Sequence, residues 1–240
     1  MTQRLGGATT TVIVNAISLP TLSLISLVRL ALAVALGLSV SALVAAQAET
    51  INIVALGDSN TFGSGQGRTP GGVPVAEAYP AKLERALRAR GWDVSVSNQG
   101  MPGNTARGAV GTLDRKIPPG TKLTIVELGL NDRNFYGLSP PDIARDLTEI
   151  IRQIHAKGSA VIVIRHWPPN DDAFAAVQRS ADVVISWYSS LYNGPISGPR
   201  PEYDSGDHAH VNAAGTDVIV SLVLPDVERV LRQIGSRVTR

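Results

Sequence analysis

Five short apolar runs separated by amphipathic stretches constrain this chain more than any other feature. Residues 51–56, 94–97, 122–128, 160–165 and, more weakly, 182–188 are rich in Val, Ile and Leu; Gly57 stops the first, and the next three are bounded by Gly, Pro or Asn. That is how strands buried on both faces read. Between them, residues 79–90 place Leu83, Ala86 and Leu87 on one helical face, and Gly91 ends the stretch. Residues 142–157 carry a longer stripe of Ile143, Leu147, Ile150, Ile151 and Ile154, with Ser139-Pro140 suited to its start and Gly158 to its end. Strands alternating with helices predict an α/β domain built on a mainly parallel five-stranded sheet. A closing helix is expected over residues 212–234, kinked or interrupted near Pro225, and residues 189–206 read as loop.

Residues 1–48 differ in kind, for they hold no Asp or Glu. Arg29 precedes an apolar run over residues 30–44, and Ala46-Gln47-Ala48 supplies the small-x-small pattern of a secretory signal. The expectation is an exported protein, periplasmic or secreted, with residues 1–48 as its leader, cleavage after Ala48, and residues 49–240 as one domain. A permanent anchor is the alternative, because the run is short for a span of roughly 20 residues but adjoins other apolar residues. Loss of Arg4 and Arg29 with the leader leaves basic and acidic side chains equal in number, so the remaining chain has no net charge. A balanced surface gives no footprint for nucleic acid and marks no protein partner. Membrane contact is expected only through the leader or a lipid substrate. Without cysteine there is no thiolate nucleophile, disulfide or cysteine-type zinc site.

In a doubly wound sheet, ligands sit beyond the carboxyl ends of the strands, and there this chain is unusually polar. Gly57-Asp58-Ser59-Asn60 follows the first run, Asn98-Gln99-Gly100-Met101-Pro102-Gly103-Asn104 the second, and Gly129-Leu130-Asn131-Asp132 the third. A serine on that rim needs a base and oxyanion donors before it can attack a carbonyl. Asp207 and His210 lie within one turn of each other before the last helix, so the carboxylate can orient the imidazole. Gly103, through a closely approaching backbone N–H, the neutral amide of Asn131, and the N–H of Ser59 suit the oxyanion. Other readings stay open. Ser59 alone could be a turn residue or N-cap, Asp58 and Asp132 read as structural, and His208 and His210 with Asp204 and Asp207 could share a metal ion. His155 and His166 read as structural, although His166 lies on the same rim. The glycine-rich residues 63–72 read as a surface turn, or as a loop that touches substrate.

Taken together, Gly57-Asp58-Ser59-Asn60, the Gly103 turn, Gly129-Leu130-Asn131-Asp132 and Asp207-x-x-His210 resemble, in order and spacing, the four blocks of the SGNH/GDSL hydrolases. Ala78-Tyr79-Pro80-Ala81-Lys82-Leu83 and Val126-Glu127-Leu128-Gly129 are similar to patterns of the periplasmic multifunctional thioesterase, lysophospholipase and arylesterase branch. The resemblance implies a flavodoxin-like three-layer α/β/α sandwich and hydrolysis of a small acyl ester or thioester through an acyl-enzyme on Ser59. It implies no metal and no organic cofactor. Asp207 and His210 would complete the catalytic set, with Ser59, Gly103 and Asn131 as the oxyanion hole. The chain departs from the branch at Asn60 (usually Leu), Asn104 (often Asp), His208 (usually Gly) and Val211 (usually Pro). Trp187, Tyr188, Tyr192 and Tyr203 read either as an aromatic pocket wall or as ordinary packing. A carbohydrate O-acetylesterase is an alternative activity, and a binding protein on the same fold an alternative class.

Overall fold

The computed structural model describes residues 49–63, 70–168, 170–193 and 198–238. The chain divides into two units, Met1–Ala48 and Glu49–Arg240. The expected leader lies outside the described residues, as does most of the glycine-rich stretch at 63–72. Among the described residues no helix is long and apolar enough to cross a membrane.

In chain order the elements are β1 (Ile51–Gly57), α1 (Ser59–Phe62), α2 (Tyr79–Ala89), β2 (Val94–Asn98), α3 (Ala106–Val110), α4 (Leu113–Lys116) and β3 (Thr121–Glu127). There follow α5 (Leu130–Asn134), α6 (Pro140–Ala156), β4 (Ala160–Arg165), α7 (Ala175–Ser180), β5 (Val183–Ser186), α8 (Tyr188–Leu191) and α9 (Ala213–Val238). The strands pair in the order β2-β1-β3-β4-β5, all parallel, with Ile53 of β1 opposite Val96 of β2 and Leu123 of β3. Alternation along the strands splits the core in two. Ile53 and Ala55 pack with Leu83 and Leu87 of α2 and with Ile219 and Val227 of α9, whereas Val54 and Leu56 pack with Leu147 and Ile151 of α6. Apolar layers on both faces make the expected three-layer sandwich. The strand order reverses between β1 and β3, so the switch-point crevice opens where β1 gives way to Ser59 and β3 to Asn131.

Two expectations are refined. Helix α9 runs through Pro225 unbroken. Proline removes one backbone bond, but Val223 and Leu224 before it and Val227, Val230 and Leu231 after it are all buried in one cluster, which holds both halves to the sheet. The stretch 189–206 is not all loop, since it contains the end of α8, a 3₁₀ turn at Pro201–Tyr203 and an isolated bridge from Tyr192 to Pro199.

Of the aromatic residues between β5 and α9, Trp187 and Tyr192 are core. Trp187 is fully buried and meets Tyr79 and His166 edge to face, at centroid distances of 6.0 and 5.6 Å. Ordinary packing therefore accounts for it, and no pocket wall is needed. Trp187→Ala is expected to lower stability by about 3–5 kcal/mol, seen as a lower urea midpoint at unchanged m-value. A loss below about 1 kcal/mol would show that the ring does not fill the core.

Candidate active site

Gly57 ends β1 where no side chain fits, because a Cβ there would lie 1.9 Å from Thr61 Oγ1 and 2.9 Å from Glu127 Oε2. The chain then turns sharply into α1. Asp58 caps that turn, its Oδ1 accepting the Asn60 N–H at 2.9 Å, and Ser59 is left half-buried at the first helical position.

The loop before α9 carries Asp207 and His210. Asp207 Oδ1 accepts from Ser205 Oγ at 3.1 Å, Ala209 N at 3.0 Å and His210 N at 2.9 Å. Its Oδ2 lies 2.7 Å from His210 Nδ1, and His210 Nε2 lies 2.8 Å from Ser59 Oγ. Burial alone would raise the Asp207 pKa, but the bonds from His210 and the two backbone amides outweigh it and hold the carboxyl down at about 2. Asp207 is therefore ionised at neutral pH. It is placed to accept a proton on His210 Nδ1, the tautomer in which Nε2 is an acceptor facing the serine hydroxyl.

The neighbouring pair differs. His208 Nδ1 bonds Asp204 Oδ2 at 2.7 Å, and its backbone is left-handed, with φ of 59°. Glycine, usual at this position in the branch, would adopt that conformation at lower cost. The two imidazoles are thus taken by two different carboxylates. Among the described residues no three His, Cys, Asp or Glu side chains converge as a metal-ligand set.

The expected oxyanion donors come from three loops. Gly103 turns with φ of +76° beside Asn104, whose buried Nδ2 donates to Gly57 O at 3.1 Å. An aspartate at residue 104 could not make that bond while ionised. Neither the Ser59 nor the Gly103 backbone N–H has an acceptor among the described residues. The Asn131 amide is engaged: Nδ2 donates to Asn104 O at 2.8 Å and, over a longer 3.3 Å, to Asp58 Oδ2. Asp132 is structural, its carboxylate accepting Ala106 N at 2.8 Å and Arg107 N at 3.2 Å at the start of α3.

Beneath these groups lies a cluster that local sequence patterns do not reveal. Glu127, the last residue of β3, is fully buried; its Oε2 accepts from Thr61 Oγ1 at 2.9 Å, and its Oε1 meets His166 Nε2 at 2.6 Å. His166 does not reach the surface, and burial lowers its pKa to about 4, so its ring is neutral. Asn60 is buried beside this cluster. Its Nδ2 is 3.5 Å from Tyr192 OH and its Oδ1 has no partner among the described residues.

Ser, His and Asp side chains hydrogen-bonded in line over the switch point of a parallel sheet are the arrangement of a class of α/β hydrolases. A model of the GDSL-like Lipase/Acylhydrolase family matches residues 55–218, and the chain belongs to that family of carboxylic ester hydrolases. An arylesterase of Vibrio mimicus is 30% identical over 149 residues, which are 61% of this chain and 68% of that protein. Esterase TesA of Pseudomonas aeruginosa is 27% identical over 101 residues, 41% of this chain and 50% of that protein. Among solved structures, the SGNH-hydrolase family esterase AlinE4 is similar at a TM-score of 0.54 and 27% identity, covering 78% of this chain and 99% of AlinE4. A crystal structure of TesA shares the fold at a TM-score of 0.60 and 20% identity, covering 75% of this chain and 99% of TesA.

Proposed function

We propose that the chain hydrolyses small carboxylic esters or thioesters through an acyl-enzyme on Ser59. The observation that carries this reading is the unbroken path from Ser59 Oγ to His210 Nε2 at 2.8 Å and from His210 Nδ1 to Asp207 Oδ2 at 2.7 Å. As Oγ bonds the substrate carbonyl carbon, His210 takes its proton and the carbonyl oxygen becomes an oxyanion. His210 then gives that proton to the leaving alcohol or thiol as the C–O or C–S bond breaks. A water deprotonated by His210 then attacks the acyl carbon, and as its bond to Oγ breaks His210 returns that proton to Ser59 and the acid leaves. The N–H groups of Ser59 and Gly103, which have no acceptor among the described residues, are suited to the oxyanion. Asn131 would add a third donor by turning the proton of its longer bond, that to Asp58, toward the substrate. Each such donor is worth about 10²- to 10³-fold in turnover.

One feature favours short acyl groups. A cavity of about 20 Å³ on the same rim is lined in part by Gly129, Arg133, Ile143, His166, Trp167 and Phe174. The Trp167 and Phe174 rings stack 4.1 Å apart and wall it in. That space suits a methyl-sized group better than a long chain, which supports acetyl esters, including O-acetylated carbohydrates, as substrates. Turnover of p-nitrophenyl esters from acetate to palmitate, and of matching thioesters, is expected to peak at the short end. Acid-quenched protein should carry the acyl mass on the peptide containing Ser59. Phe174→Ala is expected to open the cavity and move the optimum toward longer chains. Steady turnover with no adduct on that peptide would overturn the covalent route.

The leader reading is also proposed, on the composition of residues 1–48. N-terminal sequencing of exported protein should start at Glu49.

A further inference from the structure

Three ionisable groups are buried under the nucleophile turn, at the carboxyl ends of three neighbouring strands. Asp58 follows β1, Glu127 ends β3 and His166 follows β4, and each is at most 5% exposed. The sheet behind them is apolar on both faces. Burying charge costs stability that a well-packed apolar side chain would not, so such a cluster calls for a reason beyond stability.

Its bonds suggest one. Glu127 Oε2 accepts from Thr61 Oγ1 at 2.9 Å and, more distantly, from the Asp58 N–H at 3.4 Å, so one carboxyl ties down both ends of the turn that presents Ser59. Its Oε1 is tied through His166 Nε2 to the end of β4. Asp58 and Glu127 are both buried, with Glu127 Oε2 3.4 Å from the Asp58 N–H, and two carboxyls buried side by side favour holding one proton between them. Further polar neighbours among the described residues are Asn60 of α1, Tyr79 from α2, whose ring packs on Trp187, and Asn131 from α5. None of them supplies a positive charge: His166 is neutral, and burial and the two carboxyls raise the Tyr79 phenol far above its ordinary range.

We propose that Glu127 is a positioning residue for the hydrolysis, fixing the Ser59 turn through Thr61 and Asp58 and sharing a proton that keeps Asp58 a neutral acid behind Asn131. An ionised Asp58 would place a negative charge behind the amide that has to meet the developing oxyanion, and would hold that amide back. As a neutral acid it is a poorer acceptor than a carboxylate. The 3.3 Å separation from Asn131 Nδ2 fits a bond that is easily given up. This inference rests on the proposed Ser59 mechanism.

Burial is the first cause that raises both carboxyls, to about 7 for Glu127 and well above its ordinary range for Asp58. A carboxyl whose folded pKa is raised contributes its stability below its unfolded pKa. That contribution is lost as pH climbs, here from about 4.5 to about 7 for Glu127.

The test uses the full chain with Glu127→Gln alone and combined with Asp58→Asn, beside Ser59→Ala. Gln is close in shape and can still accept from Thr61, but it is a weaker partner for an acid proton, so Asp58 ionises. Glu127→Gln is expected to lower kcat by about 10- to 100-fold at pH near 8 while KM changes less than about threefold. Adding Asp58→Asn removes that charge and should recover about tenfold of the loss, a rescue that a merely structural role would not give. Wild type should lose stability relative to Glu127→Gln as pH rises from about 4.5 to about 7. Infrared spectra of the wild type at about pH 6 should show the carbonyl stretch of a protonated carboxyl, a reading that needs no variant to fold. Normal kcat in Glu127→Gln, no rescue in the double variant, or no protonated carboxyl in the wild type would each overturn the inference. Failure of the Ser59 reading is distinguishable, because it would appear as activity surviving in Ser59→Ala.

Discussion

Ser59→Ala is expected to reduce kcat on an activated ester by about 10⁶-fold, the loss seen when a serine triad is stripped of its nucleophile. The protein should still fold as before. Ser59 Oγ has one hydrogen-bond partner among the described residues, His210 Nε2 at 2.8 Å, and the residue is half-buried at the start of α1, where alanine is readily accommodated. The variant should therefore keep its denaturation midpoint while losing turnover. Substrate binding should persist, since the N–H of residue 59, the Gly103 N–H and the Asn131 amide are untouched. A second expectation concerns additivity. The serine and imidazole act as one unit, so His210→Ala in the Ser59→Ala background should cost nothing further. Retention of more than about a hundredth of wild-type kcat by Ser59→Ala would remove the acyl-enzyme from the mechanism.

What the sequence discloses about this site depends on how local each interaction is. The strands can be read because runs such as Ile51 to Leu56 are apolar on both faces and stop at turn residues. Asp207 and His210 can be read because partners that bond at 2.7 Å stand only three positions apart. The short helices escape such a reading: α1 and α4 have four residues each, too few to display a 3.6-residue period. Trp187 could not be assigned between pocket and core, because an aromatic after a short strand reads the same in either setting. Only its edge-to-face contacts with Tyr79 and His166 decide the matter.

Glu127 is the furthest from being legible. Its partners Asp58, Thr61 and His166 are 69, 66 and 39 residues away, and they meet only because β1, β3 and β4 are neighbours in the sheet. The one local signal was an acid at the end of a strand that is otherwise buried. A charged residue in that position has to find partners, so the sequence raises the question without naming them. His208 is a similar case. Its departure from the usual glycine can be seen in the sequence, but its cost becomes visible only in the left-handed backbone at φ 59°.

Asp207→Asn is expected to lower kcat by about 10⁴-fold with little change in fold, because it alters which imidazole nitrogen carries the proton. The three bonds that shape the loop, from Ser205 Oγ, Ala209 N and His210 N, all end on Oδ1, which asparagine retains. The changed atom is Oδ2, 2.7 Å from His210 Nδ1. An amide nitrogen there donates where the carboxylate accepted, so Nδ1 has to become the acceptor and the ring proton moves to Nε2. That nitrogen then faces Ser59 Oγ at 2.8 Å as a donor and cannot take the serine proton. Loss of the carboxylate also removes the charge that would stabilise the imidazolium. The same substitution has a signature in stability. Because Asp207 is held at about 2 against an ordinary value of 3.8, its contribution is present above pH 3.8 and disappears as pH falls toward 2. The asparagine variant should lack that part of the acid-unfolding slope, so its stability should converge with wild type at low pH. Near-normal turnover at neutral pH would exclude Asp207 as the group that fixes the His210 tautomer.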